Sequence, residues 1–297
     1  MSPRTQQWYP QPSVTLIGNG AKVNIHLLEG ECCQATIEKV KNKLARKWGM
    51  PALMDLELEE LQRELAEQGY NLPEIAASRG DERDNLTRTQ RLDVEQKERG
   101  DLAEILAEMT QKETRSISEE DIFLPFRRKI TIAVSEHGTD YIAFRFDDTH
   151  QGIMPKESEF IVLGESKCTS SASDLKTACQ RTRSWILERL TKRRLYAEFT
   201  NIAEEYKRYG REWKRVRVLG FIPSIYRRDE RLIVSTTMLY TNSVSDQTAV
   251  SDFERYILGA LDSHQDGAIP HPRFEALLFK TVDMDYFCES CYEDFSR

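Results

Sequence analysis

The order of elements along the chain predicts an α/β protein, with a central mixed sheet flanked by helices and a smaller N-terminal α+β region. Three observations carry this expectation. Apolar runs of strand length recur at residues 141–146, 160–163, 232–240 and 274–282. Leu102, Ile105, Leu106 and Met109 repeat at i, i+3, i+4, i+7, the spacing of an amphipathic helix over 100–112. From there the pattern runs helix, three strands, helix, strand. Residues 1–93 are expected to form a hairpin and helical region, and residues 94–297 the main α/β unit.

Taken in order, Val14 to Ile17 and Val23 to Leu27 flank Gly18-Asn19-Gly20, the signature of a tight β-hairpin turn. Gly18-Asn19-Gly20-Ala21-Lys22 is no phosphate loop, because it lacks the full glycine spacing and the Lys-Ser/Thr ending. Helices are expected at 35–48 and at 56–68, where Leu58, Leu61 and Leu65 share a face. Residues 78–92 are charged and poor in apolar side chains, as in a connector. Strands are expected at 129–134, 141–146 and 160–163. Helices should follow at 172–195 and 197–209, strands at 216–222 and 232–240, a helix at 251–261 and a last strand at 274–282. No internal repeat is visible.

Composition narrows the function. The chain has 297 residues, 39% hydrophobic and 31% charged, which suits a folded protein rather than a disordered one. Its apolar runs fall far short of the ~20 residues of a membrane span. The stretch Met1-Ser2-Pro3-Arg4-Thr5-Gln6-Gln7 lacks the apolar centre of a signal peptide, so a cytoplasmic location is expected. The six cysteines are few and irregularly spaced. Cys288-Glu289-Ser290-Cys291 is a lone CxxC without a second ligand pair, and reads as two reduced thiols. The net charge of −7 conceals a span from Arg181 to Arg231 with fifteen basic and seven acidic residues. That surplus suits either phosphate neutralisation or a solvated helix face.

Chemistry concentrates between residues 140 and 167. Asp140 heads one apolar strand, and a second runs into Gly164-Glu165-Ser166-Lys167. Glu165 and Lys167 are two apart on an extended segment, so both leave the same face. Two carboxylates and an ammonium at a sheet edge suit metal-assisted phosphodiester cleavage, with Asp140 and Glu165 as ligands of Mg²⁺ or Mn²⁺ and Lys167 holding the water or the scissile phosphate. Asp147 and Asp148 compete with Asp140 but stand at the far end of its strand. Each residue also has an ordinary reading: Asp140 as a turn residue, Glu165 and Lys167 as a surface ion pair. The five histidines offer no pairing with Ser, Cys or Asp for nucleophilic catalysis.

Asp140 with Gly164-Glu165-Ser166-Lys167 resembles the D…ExK signature of the PD-(D/E)xK nuclease superfamily, the fold of many restriction endonucleases. Thr139 stands where that family often has a proline. The family often adds a glutamate on the helix before the sheet, which the resemblance assigns to Glu104 in Gly100-Asp101-Leu102-Ala103-Glu104 as a third metal ligand. On the helical wheel Glu104 points away from the apolar stripe, beside Gly100, Ala103 and Ala107, with Glu108 another exposed neighbour. Together with His137-Gly138-Thr139-Asp140-Tyr141, these segments most resemble the nuclease subunits of Hachiman-type bacterial anti-phage systems, over roughly residues 94–195. The resemblance implies a restriction-endonuclease-like core in 94–297, DNA as substrate, a helicase partner that restrains the nuclease, and a role in antiviral defence. Gln180, Arg181 and Arg183, on the helix after Lys167, would contact DNA. The competing expectation is a catalytically inactive nucleic-acid-binding or scaffold subunit; a CxxC metal or redox protein is a weaker third.

Overall fold

Seven strands form one sheet in the computed structural model, which describes residues 12–16, 21–49, 67, 88–123, 140–149, 152–169, 171–191, 194–227, 230–258 and 273–293. β1 (Ser13–Leu16) and β2 (Lys22–Leu28) are antiparallel. Helices α1 (Gly30–Gly49) and α2 (Arg88–Arg115) precede the two-residue strand β3 (Ile122–Phe123). β4 (Tyr141–Arg145) and β5 (Phe160–Thr169) form an antiparallel hairpin. Helices α3 (Ala172–Thr191), α4 (Arg194–Arg208), α5 (Glu212–Gly220) and α6 (Ile222–Arg227) then lead to β6 (Leu232–Thr241). Helix α7 (Asp246–Phe253) continues as a π-turn before β7 (Arg273–Thr281) and α8 (Met284–Tyr292).

The strand order is β1-β2-β7-β6-β5-β4-β3. β2, β7, β6 and β5 are mutually parallel, and antiparallel strands close both sides. This is the expected mixed sheet flanked by helices. Its central strands are near-continuous apolar runs because both faces are covered. On one face Ile142, Phe144, Ile161, Leu163, Val234 and Met238 pack against α3 to α7. On the other Tyr141, Ala143, Val162, Ile233 and Leu277 pack against α1, α2 and α8.

The division expected at residue 93 falls inside α2, and the N-terminal hairpin joins the same sheet through β2 and β7, paired from Lys22↔Glu275 to Leu28↔Thr281. Helix begins at Arg88, within the expected connector. The expected strand at 216–222 is helical instead. Lys214, Arg217 and Val218 are buried with Gly220, and the buried Phe221 caps the end; Lys214, Arg217, Val218 and Phe221 fall at i, i+3, i+4, i+7, so the β-branched valines lie on a helix that buries one face. The helix expected at 251–261 starts earlier, at Asp246, where the Ser245 side chain accepts from Thr248 N as an N-cap. Of the expected helix at 56–68 residue 67 alone is described, and the strand at 129–134 and the Gly18-Asn19-Gly20 turn lie outside the described residues.

Candidate active site

β5 runs six residues beyond its apolar run because Gly164 to Thr169 continue its pairing with β6, Glu165 opposite Thr236 and Lys167 opposite Met238. Glu165 and Lys167 therefore lie within a strand and keep the parity of Ile161 and Leu163. Asp140 immediately precedes β4 and shares parity with Ile142 and Phe144, so all three polar side chains belong to the face covered by α3 to α7. Register brings them together, since Tyr141 pairs with Gly164.

That pairing needs a glycine. A Cβ at position 164 would sit 1.9 Å from the Tyr141 ring, which fills the opposite face. The Tyr141 hydroxyl is wholly buried. Burial pushes it up to about 12, partly offset by Ser235, Thr237 and Gln111 beside it. Gln111 Nε2 donates to it at 3.5 Å.

The three groups make one hydrogen-bonded unit. Ser166 N donates to Asp140 Oδ2 at 2.7 Å, fixing that carboxylate across the two strands. Lys167 Nζ donates to Glu165 Oε1 and stands 3.5 Å from Asp140 Oδ2. Glu165 is only 5% exposed, and its Oε2 has no hydrogen-bond partner among the described residues. Burial is the main force pushing the Glu165 carboxyl up to about 8; the Asp140 charge adds to it and Lys167 opposes it. For Lys167 burial works against the charge, but Asp140 and Glu165 outweigh it and raise the ammonium above its usual range.

Glu104 lies on α2, whose residues Leu102, Ala103, Ile105, Leu106 and Ala107 pack on the opposite face. Glu104 and Glu108 are both buried, against the wheel, because α1 and α8 cover the side of α2 that the sheet leaves open. Glu108 accepts from Lys43 of α1 at 2.7 Å. Among the described residues, no group of three or more His, Cys, Asp or Glu is placed to hold a metal ion. The donor set on hand is Asp140 and Glu165. Two carboxylates suit Mg²⁺, which keeps several waters and takes its remaining oxygens from substrate phosphates. The unpartnered Glu165 Oε2 fits such a ligand.

The competing Asp147 and Asp148 belong to the β4–β5 connection. Asp147 accepts from Thr149 and from Lys156 Nζ at 2.9 Å, and these bonds hold its carboxyl low, at about 2. On α3, Gln180 and Arg181 are exposed and Arg183 is half-buried; Leu175, Ala178, Cys179 and Ile186 form its buried side. The basic span is not one solvated surface. Lys214 is buried on Glu120 and Asp121, Arg217 on Glu159, and Arg215 pairs with Glu212. All six cysteines are free thiols. Cys288 and Cys291 lie buried on α8, and desolvation raises both.

The role of Ser166 N was not legible in the sequence, because a backbone donor depends only on register. The Gly164–Tyr141 contact could have been anticipated from a glycine before the acidic motif and an aromatic just after Asp140. The chain matches no known protein-family model, and no curated protein matches its sequence. No helix among the described residues is long and apolar enough to cross a membrane.

Proposed function

We propose that this protein is a metal-dependent nuclease that hydrolyses phosphodiester bonds in DNA. The observation that carries the reading is the convergence of Asp140, Glu165 and Lys167 on one face, with a buried Glu165 oxygen left unpartnered. Asp140 and Glu165 would hold Mg²⁺ or Mn²⁺, which when bound supplies Lewis-acid polarisation of a phosphoryl oxygen and an acidified water. The order of α2, β3, β4, β5, α3 and β6 supports a restriction-endonuclease-like core.

The chain's own groups divide the remaining work. Ser166 N holds Asp140 in place, so its carboxylate does not reorganise when charge develops. Glu165, raised toward neutrality, stores a proton that it gives up when a cation stands beside it. Lys167 keeps its charge and can turn from Glu165 to a phosphate oxygen or the attacking water as a point charge. Gln180, Arg181 and Arg183 on α3 supply candidate contacts to the DNA backbone. By resemblance, the protein would be the effector subunit of a cytoplasmic anti-phage complex, restrained by a helicase.

Incubation with plasmid DNA and Mg²⁺, beside Glu165→Ala and Lys167→Ala variants of unchanged thermal stability, tests the mechanism. Cleavage should fall about a hundredfold or more in each variant. Undiminished cleavage by both would overturn it. A second reading is favoured by the closed Asp140–Lys167–Glu165 ion-pair set: a catalytically inactive nucleic-acid-binding or scaffold subunit. In that case calorimetry would detect no Mg²⁺ binding that depends on Glu165.

A further inference from the structure

Three arginines from different elements converge on one aromatic ring. The guanidinium carbons of Arg115, Arg145 and Arg273 stand 5.6, 5.8 and 5.9 Å from the centre of the Phe160 ring. Topology causes this. Arg115 ends α2, Arg145 ends β4 and pairs in register with Phe160 at the start of β5, and Arg273 starts β7.

Charge at this point is incompletely balanced. Arg115 pairs with Glu275, which Asn24 Nδ2 also holds at 3.0 Å. Arg145 Nη1 donates to the Arg115 carbonyl at 3.3 Å, and Arg273 Nε donates to the Glu230 carbonyl at 2.9 Å. Neither Arg145 nor Arg273 has a carboxylate partner among the described residues, and both are exposed. A guanidinium has five donors, so each keeps most of its capacity unspent. Cation–π attraction at a half-buried ring is modest beside the repulsion of neighbouring cations. An anion is the missing component.

We propose that Arg115, Arg145 and Arg273 around Phe160 form a binding site for a phosphate-bearing ligand, separate from the Asp140–Glu165–Lys167 unit. Guanidinium forks bind oxyanions in bidentate fashion, and several forks around one ring suit the three or more oxygens of a phosphate better than the two of a carboxylate. Phe160 and Glu165 are five residues apart on one strand, hence on opposite faces and roughly 17 Å apart. The site therefore stands whether or not the protein cleaves DNA. The phosphate is carried by a free nucleotide or by a nucleic-acid strand.

The test is calorimetry on the full chain in about 50 mM salt, where screening is modest. The probes are inorganic pyrophosphate, ATP without metal, and a 5′-phosphorylated single-stranded oligonucleotide. At least one should bind, and Arg145→Gln with Arg273→Gln should weaken it about tenfold or more. Arg208→Gln, an equally exposed change on α4, should leave that binding intact. Tightest binding by ATP identifies a free nucleotide, and tightest binding by the oligonucleotide identifies a strand. Absence of binding by all three probes overturns the proposal, as does an unaffected double variant or an equal loss in Arg208→Gln.

Discussion

Gly164 is the residue on which the site geometry turns, because the Tyr141 ring occupies the space a side chain would need. Gly164→Ala should destabilise the fold by about 1–3 kcal/mol or more, read by chemical denaturation, since a wholly buried ring has nowhere to move. Glu165 gives a second expectation, with a definite sign. Its carboxyl is raised to about 8 in the folded chain, whereas an unfolded glutamate titrates at about 4.3. The folded state thus binds the proton more tightly. The stabilisation is complete below the ordinary carboxylate range and is lost as pH rises through about 8, so metal-free stability should fall between pH ~5 and ~8. Denaturation midpoints across that range check this, and Glu165→Gln should flatten the slope; an unchanged slope would refute the assignment.

Between elements, the β4–β5 connection is tied down by one buried ion pair. Glu159 accepts from Asp147 N at 2.9 Å and Lys156 N at 2.7 Å, and its charge meets Arg217 of α5, both side chains essentially unexposed. Arg217→Ala leaves that carboxylate buried without its cation and should cost about 3–5 kcal/mol by denaturation. The double change Arg217→Met with Glu159→Gln should recover most of the loss. The same pair shows why α5 was unreadable as a helix. Its arginines and lysines suggested a solvated surface and its valines a strand, yet Lys214 and Arg217 are buried because acids from distant segments, Glu120, Asp121 and Glu159, meet them. Long-range partners of this kind leave no local trace.

For the whole molecule, β2 matters most among the N-terminal elements. It continues the parallel sheet beside β7 over seven residue pairs, and Val23, Ile25 and Leu28 are buried against it. A chain limited to residues 94–297 would turn β7 into an exposed edge and uncover the α1 side of α2. That fragment should fail to give a soluble, cooperatively unfolding monomer, as size-exclusion and thermal melts would reveal. A stable fragment would mean that the boundary at residue 93 divides independent units.

The sequence by itself determined the pairing of Glu165 with Lys167, the position of Asp140 before its strand, and the alternation of helices with a mixed sheet. All of these depend on short-range periodicities, two along a strand and 3.6 along a helix. Tertiary structure alone decided which helix covers which face. Glu104 was thereby placed on a helix that packs on the other face, and three arginines more than forty residues from one of their partners were gathered on Phe160. Register and layer order arise from burying apolar surface across the whole chain, and no window of neighbouring residues encodes them.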